Sequence, residues 1–253
     1  MSIRAEKLKA LLELSHEFGN PARPLTILAE GNTSAKLSDA TFLVKASGSH
    51  LGSLTETGVV ECKTAVLMEL LGKTGLDDKA VDNRLLESRV DAQAKKPSVE
   101  ALFHAFLLSL PGIEFVGHTH APHANAILCS PRSREFATKR IFPDEIVCCD
   151  VASVFIPYTD PGLKLAQAIR DEVKKFMAKF GRPPRVILME NHGLITLGRS
   201  IEAVLSAMLM TEKTAGIWLG AAALGGPKFM SRENVARISG RPDEALRRQI
   251  LKL

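Results

Sequence analysis

Three of the chain's seven histidines, His118, His120 and His123, fall within six positions in the stretch EFVGHTHAPHA. Side chains on an extended strand alternate between faces, so His118 and His120 point the same way and can grip one ion, while Thr119 points opposite. Two imidazoles leave a divalent ion short of protein ligands, and a catalytic ion keeps one or two positions for water or substrate. The best candidate for the third ligand is His192, which follows the apolar run RVILM inside ENHGLITLG. There Gly193 relieves backbone crowding, and a strand end presents a side chain to a cleft. A lone histidine is more simply a satisfied core or surface residue. An H-x-H pair with a separate strand-end NHG shifts the balance toward a metal site. His123, one turn into the next helix, reads as structural support, and His16 and His50 have no comparable context.

Glu100 and His104 are spaced i and i+4 in KPSVEALFHAFLLSLPG, so a helix starting near Ser98 puts both on one face. An acid in a first helical turn is commonly a dipole stabiliser. Facing a metal, the same carboxylate is suited to proton transfer. Three small turns complete the inventory: EGNTSAK, VKASGSHLG and KPSVE. Each can aim backbone N–H groups at an anion, and the three together can hold a phosphate, though singly each is an ordinary turn or cap.

Positioning these groups requires alternating strands and helices. Apolar spacing predicts an amphipathic helix from Arg4 to Phe18 that stops at Gly19-Asn20-Pro21. Extended segments are expected around Ile27–Leu28, Ser34–Leu37 and Thr41–Ala46, and helices over Thr64–Leu71 and Asn83–Ala94. The strand IEFVGHTH and a helix over Ala121–Leu128 follow. DEIVCCDVASVFIPY reads as two strand-like pieces, GLKLAQAIRDEVKKFMAKF as a long helix, RVILMENHGLITLG as strand and turn, and SIEAVLSAMLMTEKTAGIWLGAAAL as another long helix. The expected whole is one α/β domain over residues 1–253, with a helical appendage from about 228 formed by RENVARI and DEALRRQILKL.

Hydrophobic residues make up 45% of the 253, enough for a sizeable core. No apolar run reaches the roughly 18 residues of a spanning helix, and the start lacks a signal peptide, so no membrane role and a cytoplasmic location are expected. The four cysteines show no paired metal-site spacing and read as reduced, mostly core thiols. Thirty-three Lys and Arg against 28 Asp and Glu give +5, which favours anionic substrates. The basic run RDEVKKFMAKFGRPPR reads as a solvated helix face. With one Tyr and one Trp in the chain there is no stacking platform, and no nucleic-acid partner is expected.

The pieces GNTSAK, LVKASG, PSVEALFHAFL, GHTHA, IPYTDPG and ENHGLITLG resemble, in the right order from about Glu30 to Gly198, the class II aldolase/adducin family. Within it the wording is most similar to the aldolase portion of bifunctional aldolase/short-chain dehydrogenase proteins. The resemblance implies a three-layer α/β/α domain with a central, largely antiparallel or mixed sheet, assembled as a homotetramer whose active sites lie between subunits. It implies His118, His120 and His192 as ligands to Zn2+, or to Mn2+ or Co2+, with Glu100 as acid/base, and it maps the phosphate pocket onto Asn32, Ser47, Gly48 and Ser98.

Two positions depart from the family pattern. Val99 stands where sugar-phosphate aldolases carry a second serine. No tyrosine lies between the H-x-H strand and the PY turn, where some of them keep a proton donor; Tyr158, the chain's single tyrosine, belongs to IPYTDPG instead. Lys45 beside the pocket reads first as an exposed strand lysine and second as a compensating cation.

The expected activity is retro-aldol cleavage of a small hydroxyketone or sugar phosphate through a metal-stabilised enediolate. Decarboxylation of a small oxo or hydroxy acid is the alternative, since it needs no proton donor for a departing aldehyde. A non-enzymatic adducin-like assembly module is the reading from outside enzymology.

Overall fold

The computed structural model describes residues 2–250 and Lys252. Leu251 and Leu253, the last residues of the helix expected over DEALRRQILKL, lie outside that description. The protein is α/β, with an open mixed sheet of seven strands in the order β3-β2-β1-β4-β7-β6-β5, flanked by helices. The strands are Asn32–Lys36 (β1), Thr41–Lys45 (β2), Val59–Lys63 (β3), Phe115–Thr119 (β4), Val154–Ile156 (β5), Val186–Met189 (β6) and Gly193–Gly198 (β7). The chain forms two compact units, Met1–Thr119 with Thr159–Asp171, and His120–Tyr158 with Glu172–Leu253.

In the first unit β3, β2, β1 and β4 pair antiparallel throughout. The register puts Asn32 opposite His118. Helix Ile3–Phe18 (α1) is capped by the Ser2 hydroxyl, which accepts from the Ala5 amide, and it ends at Gly19. Helices Thr64–Leu71 (α2), Asp78–Glu87 (α3) and Ala101–Leu108 (α4) complete the unit's early part. Alternation along β1 sorts the layers. Thr33 meets Ser15 of α1 through hydroxyls 2.6 Å apart, while its neighbour Ser34 meets His104 of α4, so the two helices cover opposite faces. Leu11, Leu14 and Phe18 fill the α1 side, and Phe103 belongs to α4, in which every residue is buried. That continuous apolar run explains why α4 shows little of the one-sided pattern a surface helix has.

In the second unit β6 and β7 form an antiparallel hairpin closing at Met189↔Gly193, and β5 lies parallel to β6. Its helices are Pro122–Leu128 (α5), Ser133–Thr138 (α6), Pro143–Cys149 (α7), the later part of Leu163–Phe180 (α8), Ile201–Ala222 (α9), Arg232–Ser239 (α10) and Pro242–Ile250 (α11). Helix α9 packs on α5, α7 and β7, and α10 and α11 pack on α7. Buried Arg140 donates to the backbone oxygens of Asp150 and Cys149 and to the Ser153 hydroxyl, so its donors are met by oxygens at the loop around α7.

Several local expectations change. The first half of DEIVCCDVASVFIPY is helix α7, because Pro143 sits at the first helical position and Asp144 and Glu145 suit the positive end of the dipole. Ile27–Leu28 is turn and coil, with Leu28 at φ 52. The helix expected at Asn83–Ala94 lies earlier, at Asp78–Glu87, because the Asp77 carboxylate caps the Ala80 amide. Strand β3 and helix α6 have no counterpart in the expected elements. All four cysteines are free, three of them buried, as expected; burial pushes the Cys62 and Cys149 thiols up to about 12. Among the described residues no helix is long and apolar enough to cross a membrane.

Candidate metal centre

The expected histidine ligands converge. The ligand nitrogens of His118, His120 and His192 all lie within 4.8 Å of one another, with His118 buried and the other two half-buried. His118 lies in β4, and His120 comes just after the strand's last residue, Thr119. His192 sits in the hairpin between β6 and β7, and its ring meets that of His120 edge-on with centroids 5.2 Å apart.

Helix α5 holds this hairpin in place. Asn125 donates from Nδ2 to the His192 carbonyl at 3.0 Å, and the Asn191 amide donates to the Leu128 carbonyl at 3.2 Å. Because α5 begins two residues after His120, one short helix anchors both ends of the imidazole set. No local pattern in the sequence marks Asn125 for this task. The donor set suits a divalent ion: three imidazole nitrogens with a carboxylate beside one of them match what zinc and its neighbours accept.

Glu100 supplies that carboxylate. It sits just before α4 as the cap residue, where its backbone amide donates to the Ser98 hydroxyl, but its side chain makes no cap bond. Instead Glu100 Oε2 lies 3.6 Å from His118 Nε2 and accepts from Asn32 Nδ2 at 2.5 Å. The carboxylate therefore faces His118 rather than the helix amides. His104, one turn on, is wholly buried, and burial pushes its imidazole down to about 3, so it is neutral across the physiological range.

The three small turns also come together. Residues 46 and 97 form an antiparallel bridge, the Ser47 amide donates to the Lys96 carbonyl, and the Ser98 amide donates to the Lys45 carbonyl. Asn32 Nδ2 reaches the Ser98 hydroxyl at 3.5 Å. Ser47 and Gly48 are exposed at this edge, and Gly48 has φ +74 with open space where a side chain would project. Gly31, just before Asn32, is more confined. At φ +68 a Cβ there would come within 2.6 Å of the His118 carbonyl, so only glycine lets the EGN turn lie against the histidine strand.

His123 serves the fold. Glu212 of α9 accepts from the His123 and Ala124 amides, each at 3.0 Å, and lies 2.7 Å from His123 Nδ1, so it caps α5 from another helix. His16 Nε2 bonds the Leu54 carbonyl in the first unit.

Lys45 corrects its expectation. It is 2% exposed, because β2 is an inner strand, and its ammonium donates to the Ala29 carbonyl at 3.0 Å. Burial lowers its pKa from 10.5 to about 8, with the Glu100 carboxylate opposing part of the shift. Between pH 8 and 10.5 the unfolded chain holds the proton that the folded chain gives up, so stability rises with pH across that window. Below pH 8 the cost is present in full, about 3 kcal/mol. Lys45→Met is therefore expected to raise the melting temperature at pH 7, with the gain shrinking toward pH 10.5; calorimetry across pH checks this, and a constant difference contradicts it.

A family model described as Class II Aldolase and Adducin N-terminal domain matches residues 9–219. The chain belongs to this family. Among curated relatives, this class II aldolase/adducin chain is 28% identical over 180 residues to the uncharacterized oxidoreductase YuxG of Bacillus subtilis (strain 168), covering 68% of the chain and 24% of YuxG. The chain thus spans about a quarter of that relative's length. It is 25% identical over 186 residues to the 3-oxo-tetronate 4-phosphate decarboxylase of Escherichia coli (strain K12), covering 73% of the chain and 74% of the relative. Among solved structures, YgbL of Escherichia coli, a putative aldolase/epimerase/decarboxylase, superposes with a TM-score of 0.72 at 19% identity, over 94% of the chain and 100% of that structure. The α/β fold of the class II aldolase/adducin chain is thereby matched to known members.

Proposed function

We propose that the protein is a metal-dependent carbon–carbon lyase acting on a small hydroxyketone or sugar phosphate. The observation that carries this reading is the convergence of three imidazole nitrogens within 4.8 Å, with the Glu100 carboxylate 3.6 Å from one of them. His118, His120 and His192 would hold the ion, with zinc favoured by an all-nitrogen set and Mn2+ or Co2+ as substitutes. When bound, such an ion supplies Lewis-acid stabilisation of the negative charge that grows on substrate oxygens as the bond breaks.

The chain's own residues do the rest. Glu100 takes and returns the proton, held at a fixed place by its bond from Asn32. Ser47, Gly48 and Ser98, with Asn32, form the edge that would receive the substrate's anionic group, and Lys45 adds a buried positive charge behind it. Val99 adds no hydroxyl there. Family membership supports a cytoplasmic homotetramer as part of the same reading.

Decarboxylation of a small oxo or hydroxy acid is the second reading, favoured by one specific observation. The sole tyrosine, Tyr158, lies in the turn after β5, and the segment between β4 and that turn has no phenol to protonate a departing aldehyde. Loss of carbon dioxide needs no such donor. The likeness to a 3-oxo-tetronate 4-phosphate decarboxylase supports the same alternative.

Purified, zinc-loaded protein incubated with ketose 1-phosphates and with 3-oxo acid phosphates separates the two. Release of dihydroxyacetone phosphate is the expected result for an aldolase, and release of carbon dioxide for a decarboxylase. Turnover of neither panel by fully metallated protein contradicts the lyase reading and favours the assembly module.

A further inference from the structure

A buried polar chain runs through the first unit behind the candidate acid/base. Ser34 Oγ lies 2.6 Å from His104 Nδ1, His104 Nε2 meets Asn32 Oδ1, and Asn32 Nδ2 reaches Glu100 Oε2 at 2.5 Å and Ser98 Oγ at 3.5 Å. Ser34, Asn32 and His104 are buried. Phe103 stacks on the His104 ring at 4.7 Å and meets His118 edge-on at 6.0 Å, which fixes the imidazole plane from the side.

The chain has a direction. A neutral imidazole carries one donor and one acceptor, and an amide presents one of each at its two ends. If Nδ1 carried the proton, Nε2 would accept from the amide nitrogen of Asn32, and the amide oxygen would turn toward Glu100. Two acceptors would then face each other in a part-buried site, an arrangement that costs the bond the amide nitrogen otherwise makes to the carboxylate. With the proton on Nε2, the Ser34 hydroxyl donates to Nδ1, the imidazole donates to Asn32 Oδ1, and the amide nitrogen faces the carboxylate.

We propose that His104 is a positioning residue: its Nε2–H sets the flip of the Asn32 amide, which in turn holds the Glu100 carboxylate aimed at the histidine cluster. The role of Glu100 rests on the lyase reading; the polarity of the chain does not.

The first test needs no substrate. In protein labelled with 15N-histidine, the His104 ring, assigned by its loss in His104→Gln, is expected to show a protonated Nε2 and a bare Nδ1, unchanged from pH 5 to 9. A proton on Nδ1, or a charged ring, overturns the proposal whether or not the protein is a lyase.

The second test compares two variants on whichever substrate turns over. In His104→Gln the amide group lies where Nε2–H was and still donates to Asn32. In His104→Asn it lies nearer the Nδ1 position and does not. The Asn variant is expected to lose about 10- to 100-fold in kcat with KM little changed, and the Gln variant to recover to within about threefold of the wild type, both binding one metal per chain. Equal losses in the two variants, tracking their melting temperatures, would show a packing role alone and overturn the proposal.

Discussion

Protein carrying His118→Ala and His192→Ala is expected to be purified with less than about a tenth of an equivalent of divalent metal per chain, against about one equivalent for the wild type. The double variant keeps a single imidazole, His120, of the three whose nitrogens gather within 4.8 Å. One ligand does not hold zinc against the buffer, because structural and catalytic sites draw on three or four. His118 is buried and His192 half-buried, so truncation leaves small voids, and folding must be followed alongside metal content. Circular dichroism reports the fold and elemental analysis the metal. A folded variant with wild-type metal content removes these residues from the site.

The second large effect belongs to Glu100→Gln. Glutamine keeps the length of the side chain and an oxygen to accept from Asn32, so the local bond at 2.5 Å has a substitute. What it loses is the ability to take a proton. Turnover is expected to fall by about 100- to 10,000-fold, the range for a general acid/base, with metal content and melting temperature near those of the wild type. An intact rate in this variant would exclude Glu100 from proton transfer. A fall accompanied by metal loss would make it a ligand instead, which its 3.6 Å approach to His118 allows the experiment to distinguish.

The parts of this site that were legible in the sequence are those in which chemistry follows from local spacing. His118 and His120 stood out as a pair because side chains two apart on a strand point the same way, and FVGHT, carrying His118, is the strand β4. Glu100 and His104 lie on one helical side for the equivalent reason at a period near four. His192 stood out because NHG closes an apolar run, and the hairpin between β6 and β7 forms there.

What local spacing does not carry is the neighbour across the sheet. Asn32 read as a phosphate contact, and no local pattern shows that the register setting it opposite His118 also turns its amide toward Glu100 and His104, partners 68 and 72 residues away. Lys45 read as an exposed strand lysine because a strand's face is unknown until its neighbours are, and β2 proves to be an inner strand between β1 and β3. His123 likewise finds Glu212 at a separation of 89 residues. The misread pieces of secondary structure have a different cause. VCC favours a strand by composition, but Pro143 and two acids ahead of it start a helix that tertiary packing then buries.

The central claim is that three imidazoles from two separate pieces of backbone hold one divalent ion. The most direct measurement is an anomalous difference map, recorded at the zinc absorption edge, from crystals of the wild-type protein grown with zinc. The account predicts one strong peak per chain, bonded to His118, His120 and His192 at about 2.0–2.1 Å. Strong zinc peaks on other residues, with these three rings bare, would contradict it.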